Sequence, residues 1–136
     1  ANGSSIAFIL EADNYRMLFL GDAYDSSIVE SLKQLGFSEM NKLQLSLVKV
    51  SHHGSQYNTS PDFLSMISAA NYVISTNGAK HGLPNKRTIA RIMAAGDGKI
   101  CFNYPQIIPL MFLPCELNQY QGRLGEITQI EFEDDV

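Results

Sequence analysis

An α/β fold, a sheet covered by helices on one face, is what two observations in this sequence predict. Strand-like apolar runs alternate with segments of helical spacing along most of the 136 residues, and that alternation is the pattern of helices laid over a sheet. The runs are also closed by turn and cap residues, among them Asp13-Asn14, Gly21-Asp22, Ser60-Pro61 and Gly96 with Gly98, which cut the chain into short elements. A hydrophobic share of 45% against 18% charged residues is ordinary globular usage, so residues 1–136 are expected to form a single domain or one large piece of one.

The elements follow in order. Ser5 to Ala12 and Tyr15 to Leu20 are apolar runs joined through Asp13-Asn14, a pair suited to a tight hairpin, so they should lie antiparallel. Ser26 to Phe37 carries Ile28, Val29, Leu32 and Leu35 at helical spacing, with Ser26 or Ser27 available as cap and Gly36 near the end. Leu45 to Val50 is the next strand. Ser60-Pro61 supplies a capping serine and a proline at the first helical position, opening a helix with Phe63, Leu64 and Ile67 inward. Tyr72 to Ser75 reads as a strand. Pro84 or Asn85 then opens a helix through Ile89, Ile92 and Met93 that Gly96 and Gly98 stop. Lys99 to Asn103 is a further strand. From 104 to 136 the placement is open: Ile107 to Leu113 is broken by Pro109 and followed by Pro114, and Glu126 to Phe132 alternates only imperfectly, as a strand would.

Charge and composition exclude several functions. The net charge of −4, with Glu131, Glu133, Asp134 and Asp135 clustered at the end, argues against a broad nonspecific nucleic-acid surface. Lys80, Lys86, Arg87 and Arg91 could still meet phosphates locally, with Arg91 read as part of a solvated helix face. The apolar stretches Ile6 to Leu10 and Ile107 to Leu113 fall short of the roughly 18 residues a spanning helix needs. A basic leader with an apolar core is not visible. The two cysteines, Cys101 and Cys115, lack zinc-type spacing and read as free, buried thiols in a reducing compartment, hence a cytoplasmic location.

Two motifs carry the chemistry. Gly21-Asp22 follows Leu18-Phe19-Leu20, and Ser51-His52-His53-Gly54-Ser55 follows Leu47 to Val50. Carboxylate oxygens and neutral imidazole nitrogens bind divalent transition ions, and strand ends hold such groups rigidly while loops admit a substrate. Neither motif is diagnostic alone, since Gly-Asp is a common turn pair and a histidine pair a common loop feature. With Asn2, Ser4 and Ser5 upstream and Asn77-Gly78-Ala79-Lys80-His81-Gly82-Leu83-Pro84 downstream, they resemble the C-terminal half of metallo-β-lactamase-fold hydrolases, nearest to the competence-protein (ComEC-like) branch. The resemblance runs from about Asn2 to Met93.

That resemblance implies half of an αββα sandwich, in which the sheet's second face packs against the other half. It implies that Asp22 lies between two divalent metal ions and that His52 is a ligand to one of them, both serving catalysis. Zinc is the expected metal, with manganese or iron as alternatives. His52 is favoured over His53 because the family's H-x-G-[ST] pattern falls on it, and because adjacent side chains on an extended segment point to opposite sides. His53, Ser55, Lys80 and His81 are then candidates for substrate contact. The chain departs from the family in two places: Leu83 stands where a histidine is common, and the H-x-H-x-D-H motif that supplies most ligands is missing, only three histidines being present. Ions should therefore be held weakly or not at all by this chain alone. The expected function is part of a metal-dependent hydrolase, of phosphodiester or nucleic-acid type when complete. The alternatives are a noncatalytic interaction module on the same half-fold and, last, an unrelated α/β domain. The partner would be an N-terminal half or a second copy meeting the uncovered sheet face, with Ile107 to Pro114 apolar enough to serve as a partial lid.

Overall fold

The computed structural model describes residues 6–76, 78, 82–120 and 122–126; Asn2, Ser4, Ser5, Lys80, His81 and the last ten residues, read above as part of a strand, lie outside them. Apolar alternation on both sides of Asp13-Asn14 produces the expected hairpin. β1 (Phe8–Ala12) and β2 (Tyr15–Phe19) pair antiparallel, with Ala12 opposite Tyr15 across the two-residue turn. Four more strands join in chain order, each parallel to its neighbour: β3 (Leu43–Lys49), β4 (Ile67–Ile74), β5 (Lys99–Phe102) and β6 (Leu124–Glu126).

The connections carry the helices. α1 (Asp25–Gln34) links β2 to β3, α2 (Pro61–Ser65) links β3 to β4, and α3 (Lys86–Ala95) links β4 to β5. Between β5 and β6 stand two short helices, α4 (Ile108–Met111) and α5 (Pro114–Gln119). Every parallel crossover steps to the next strand in the same direction, and the near-uniform right hand of such crossovers puts their helices on one face. Consistently, α2 packs against both α1 and α3, and buried Leu32, Phe63, Leu64, Ile89 and Ile92 from the three helices share one cluster.

Strand register separates the two faces of the sheet. Ile9, Leu18, Val48, Tyr72, Ile100 and Leu124 line up across all the strands; all join the helix-side cluster, and the central four are buried. Because successive side chains alternate, the neighbouring row Phe8, Phe19, Lys49, Val73, Cys101 and Gly125 faces the other way. None of that row is fully buried, and Phe8, stacked on Phe19 with ring centroids 5.0 Å apart, is 51% exposed. Burial pushes the Lys49 amine below its usual range, with the opposing field of Asp22 weaker.

Local chemistry shifts several boundaries. Tyr24, not a serine, precedes α1, and Ser27 is inside the helix, where its carbonyl accepts from the Ser31 hydroxyl. The far end closes as a Schellman turn: Phe37 N–H donates to Leu32 O and Gly36 N–H to Lys33 O, with Gly36 at φ 92°. Ser60 caps α2 as expected, accepting from Phe63 N–H. That helix is short, and Ile67 begins β4 well before Tyr72, because it pairs with Leu43. The segment 107–114 is no lid over the open face. Ile107 and Phe112 are buried in the cluster that holds Ile89, Ile92 and Phe102, and Lys86 reaches back to the Phe112 ring and to Glu116. Its hydrogen bonds, first from Lys86 and then from Leu113 N–H, hold the Glu116 carboxyl below the usual range.

Arg91 is not a solvated residue either. It is half-buried and donates to Gln56 O and Thr59 O at 2.7 and 2.8 Å. Both cysteines are free, but only Cys101 is partly buried; Cys115 is exposed at the start of α5. Among the described residues no helix is long and apolar enough to cross a membrane.

Candidate functional site

Parallel strands that end together bring their following loops together, and β2, β3 and β4 do so here. After β2, Gly21-Asp22 forms a tight turn in which Ala23 N–H donates to Leu20 O at 2.9 Å, Gly21 taking φ 55°. After β3, the chain enters a tight turn, Ser51–Gly54, kinked at its two central residues. The two turns are tied directly: His52 N–H donates to Gly21 O at 2.8 Å, and the buried Ser51 hydroxyl donates to Ala23 O at 2.7 Å. The Gly-Asp and His-His-Gly-Ser motifs, about thirty residues apart in sequence, thus form one end of the sheet, the carboxyl end at which open α/β folds place ligands.

His52 and His53 are both left-handed, at φ 46° and 53°. Two consecutive non-glycine residues there cost on the order of 1 kcal/mol each and persist only where surroundings enforce them, a pattern concentrated at functional sites. The expectation that adjacent imidazoles splay to opposite sides assumed an extended segment. On this turn the rings stand edge to face, with centroids 6.4 Å apart.

Hydrogen bonds set the state of both rings. His53 Nδ1 lies 2.6 Å from Ser75 O; a carbonyl only accepts, so Nδ1 carries the proton and the neutral ring presents its lone pair at Nε2. Ser75 is held in turn, its hydroxyl accepting from Asn103 Nδ2 at 2.8 Å. His52 Nδ1 lies 3.2 Å from Asn58 Oδ1. His53 is exposed, His52 half-buried.

The loop behind the histidines is fastened by α3. Gly54 O accepts from Asn85 N–H at 3.0 Å and from the buried Thr88 hydroxyl at 2.7 Å, while Asn85 Oδ1 accepts from Gln56 N–H at 2.7 Å. With Arg91 holding Gln56 and Thr59, one face of the helix staples residues 54–59. Ser55 is buried, and its hydroxyl accepts from Tyr57 N–H within the same loop. A Cβ on Gly54 would sit 2.5 Å from Pro84 Cβ, so this position has room for glycine alone.

The donor set suits a transition metal in kind, a carboxylate at Asp22 and an imidazole presenting Nε2. In number it falls short. Among the described residues no group of three or more histidine, cysteine, aspartate or glutamate side chains comes together, fewer than the four ligands of a closed zinc site. A wide groove lies at the opposite end of the sheet, lined by Gln44, Ser46, Ser68, Ala70, Asp97 and Lys99, and shares no residue with this site. Lys80 and His81 lie outside the described residues.

Sequence reasoning missed Asn58, Lys49 and Thr88, and saw Asn85 only as a helix start and not as a residue that holds the loop. Lys49 offered a signal, a charged residue at the end of the apolar run Leu47-Val48 and just before Val50. Asn85, at the N-cap of α3, repeats with Thr88 and Arg91 at a spacing of three, a polar stripe that runs beside the apolar face of Ile89 and Ile92. Asn58, in a loop of polar residues, carried no signal. No family model matches the chain, and neither a curated protein nor a solved structure matches it.

Proposed function

We propose that this chain is the C-terminal half of a metal-dependent hydrolase of the metallo-β-lactamase type, of the competence-protein branch, acting on phosphodiesters when complete. One observation carries the reading: the His52 N–H on Gly21 O at 2.8 Å, which joins the two motifs at one end of the sheet in the order the resemblance requires. Asp22 brings two oxygens and a negative charge, and His52 brings an imidazole nitrogen. The remaining ligands come from a segment carrying H-x-H-x-D-H, and this chain alone holds ions weakly. Divalent metal, zinc first and manganese or iron as alternatives, supplies such a site with an acidified water and an electrostatic partner for the phosphate. His53, exposed beside His52, is assigned with Ser55, Lys80 and His81 to the substrate side.

A second reading, a noncatalytic interaction module, draws on Phe8, Phe19 and Val73, none fully buried, on the sheet face away from the helices. Turnover separates the two. The longest native protein containing this chain, supplied with zinc or manganese, should hydrolyse bis(4-nitrophenyl) phosphate, and Asp22→Ala should abolish it. Metal-free native protein without turnover would leave the interaction module.

A further inference from the structure

Asn58 is 3% exposed, lies in a loop, and takes part in none of the chemistry assigned above. Its amide is nonetheless used at both ends. Nδ2 donates to Ala23 O at 3.1 Å and to Asp22 O at 3.3 Å, and Oδ1 faces His52 Nδ1 at 3.2 Å. Flipping the amide would set its oxygen against two carbonyl oxygens, so the network fixes its direction. With only an acceptor facing it, His52 Nδ1 must be the donor, which leaves the neutral ring's lone pair at Nε2.

We propose that Asn58 is the positioning residue of this site: it locks His52 in the Nδ1–H form, with Nε2 presented as a ligand, and ties that ring to the backbone of Asp22. Three features of the geometry support it. The Asn58 side chain bridges the two motif loops at the level of their proposed ligands. Asn58 itself is buried, as is its bond to Ala23 O, which holds the amide dipole in place. The Ser51 hydroxyl shares the Ala23 carbonyl with it, so backbone and side chain define the same spacing between the loops. An outer hydrogen bond to a ligating imidazole selects its tautomer and orientation, and its loss typically costs 10- to 100-fold in metal affinity. The ligand role of His52 rests on the function proposed above; the tautomer does not.

The test therefore has two arms. In the metal-free chain, long-range nitrogen–proton correlation spectra at a pH where the imidazoles are neutral assign the protonated nitrogen of each ring. Wild type should show His52 and His53 both protonated at Nδ1. In Asn58→Ala, His52 should move toward the Nε2–H form that free imidazole side chains favour, while His53, held by Ser75 O, keeps its signature and reports that the loop is folded. Asn58→Asp keeps an acceptor for His52 Nδ1 but sets its second oxygen against Asp22 O and Ala23 O, so it should lose the tie to the Asp22 loop. Wild-type His52 protonated at Nε2, or a His52 signature identical in Asn58→Ala and wild type while His53 is unchanged, would overturn the assignment. Should either variant fail to fold, the wild-type spectrum still decides. In the second arm, zinc affinity of the longest native protein should fall by about 10- to 100-fold in Asn58→Ala. Correct tautomers in a protein that holds no metal would overturn the hydrolase reading and leave the lock on His52 standing.

Discussion

Gly54 and Gly36 form a matched pair for testing how tightly the histidine loop is packed. Both are left-handed, at φ 88° and 92°, so alanine at either carries a similar backbone cost of about 1–2 kcal/mol. At Gly36 a Cβ would meet nothing within 4 Å, and the cost ends there. At Gly54 it would lie 2.5 Å from Pro84 Cβ and 3.2 Å from Pro84 Cα, and relieving such overlap in a packed site costs about 1–3 kcal/mol. The same movement disturbs the Asn85 and Thr88 bonds to Gly54 O, each with a net value of about 1 kcal/mol. Gly54→Ala should therefore exceed Gly36→Ala by about 2–4 kcal/mol. Urea unfolding followed by circular dichroism measures the difference directly: with a slope of about 2 kcal/mol/M, midpoints should be separated by about 1–2 M. Equal losses in the two variants would show that the contact between the His52-His53 turn and Pro84 is not a packed one.

Burial pushes the Tyr72 phenol up to about 12, Arg123 opposing. Its folded value lies above the unfolded one, so its contribution is complete below about pH 10 and is lost as pH rises to about 12, amounting to about 3 kcal/mol; Tyr72→Phe should flatten stability over that window, and an unchanged slope would refute the assignment. Ser60→Ala removes the acceptor for Phe63 N–H and should cost about 1 kcal/mol by thermal or urea unfolding, whereas no loss would mean that α2 does not depend on its cap. Cys115 should react with a thiol reagent in the folded chain far faster than Cys101, which is half-buried and whose thiol burial pushes up; comparable rates under native conditions would contradict the burial described.

The hairpin, β3, β5 and the starts of α2 and α3 were legible in the sequence because their signals are local, whereas β6 was not. Asp13-Asn14 between apolar runs specified the hairpin, Ser60-Pro61 opened α2, and Asn85 with Gly96 bracketed α3. What was lost depended on tertiary partners. Ile67 to Ala70 has no strand signature of its own and becomes β4 by pairing with β3. Arg91 looks solvated until the loop whose carbonyls it holds is folded beside it. Around the candidate site, Asp22 and His52 stood out as residue types at strand ends, whereas the hydrogen bond joining their loops follows from the parallel pairing of β2 with β3. The state of the imidazoles was beyond reach, because it is set by Asn58 and Ser75, a loop amide and a backbone carbonyl.

Zinc-edge X-ray absorption with anomalous diffraction on the longest native protein containing this chain tests the central claim most directly. The account expects ordered metal within coordination distance of an Asp22 carboxylate oxygen and of His52 Nε2, with nitrogen and oxygen ligands at about 2.0–2.2 Å. Metal bound elsewhere, or a protein that excludes zinc while the Gly21–His52 tie is intact, would contradict it.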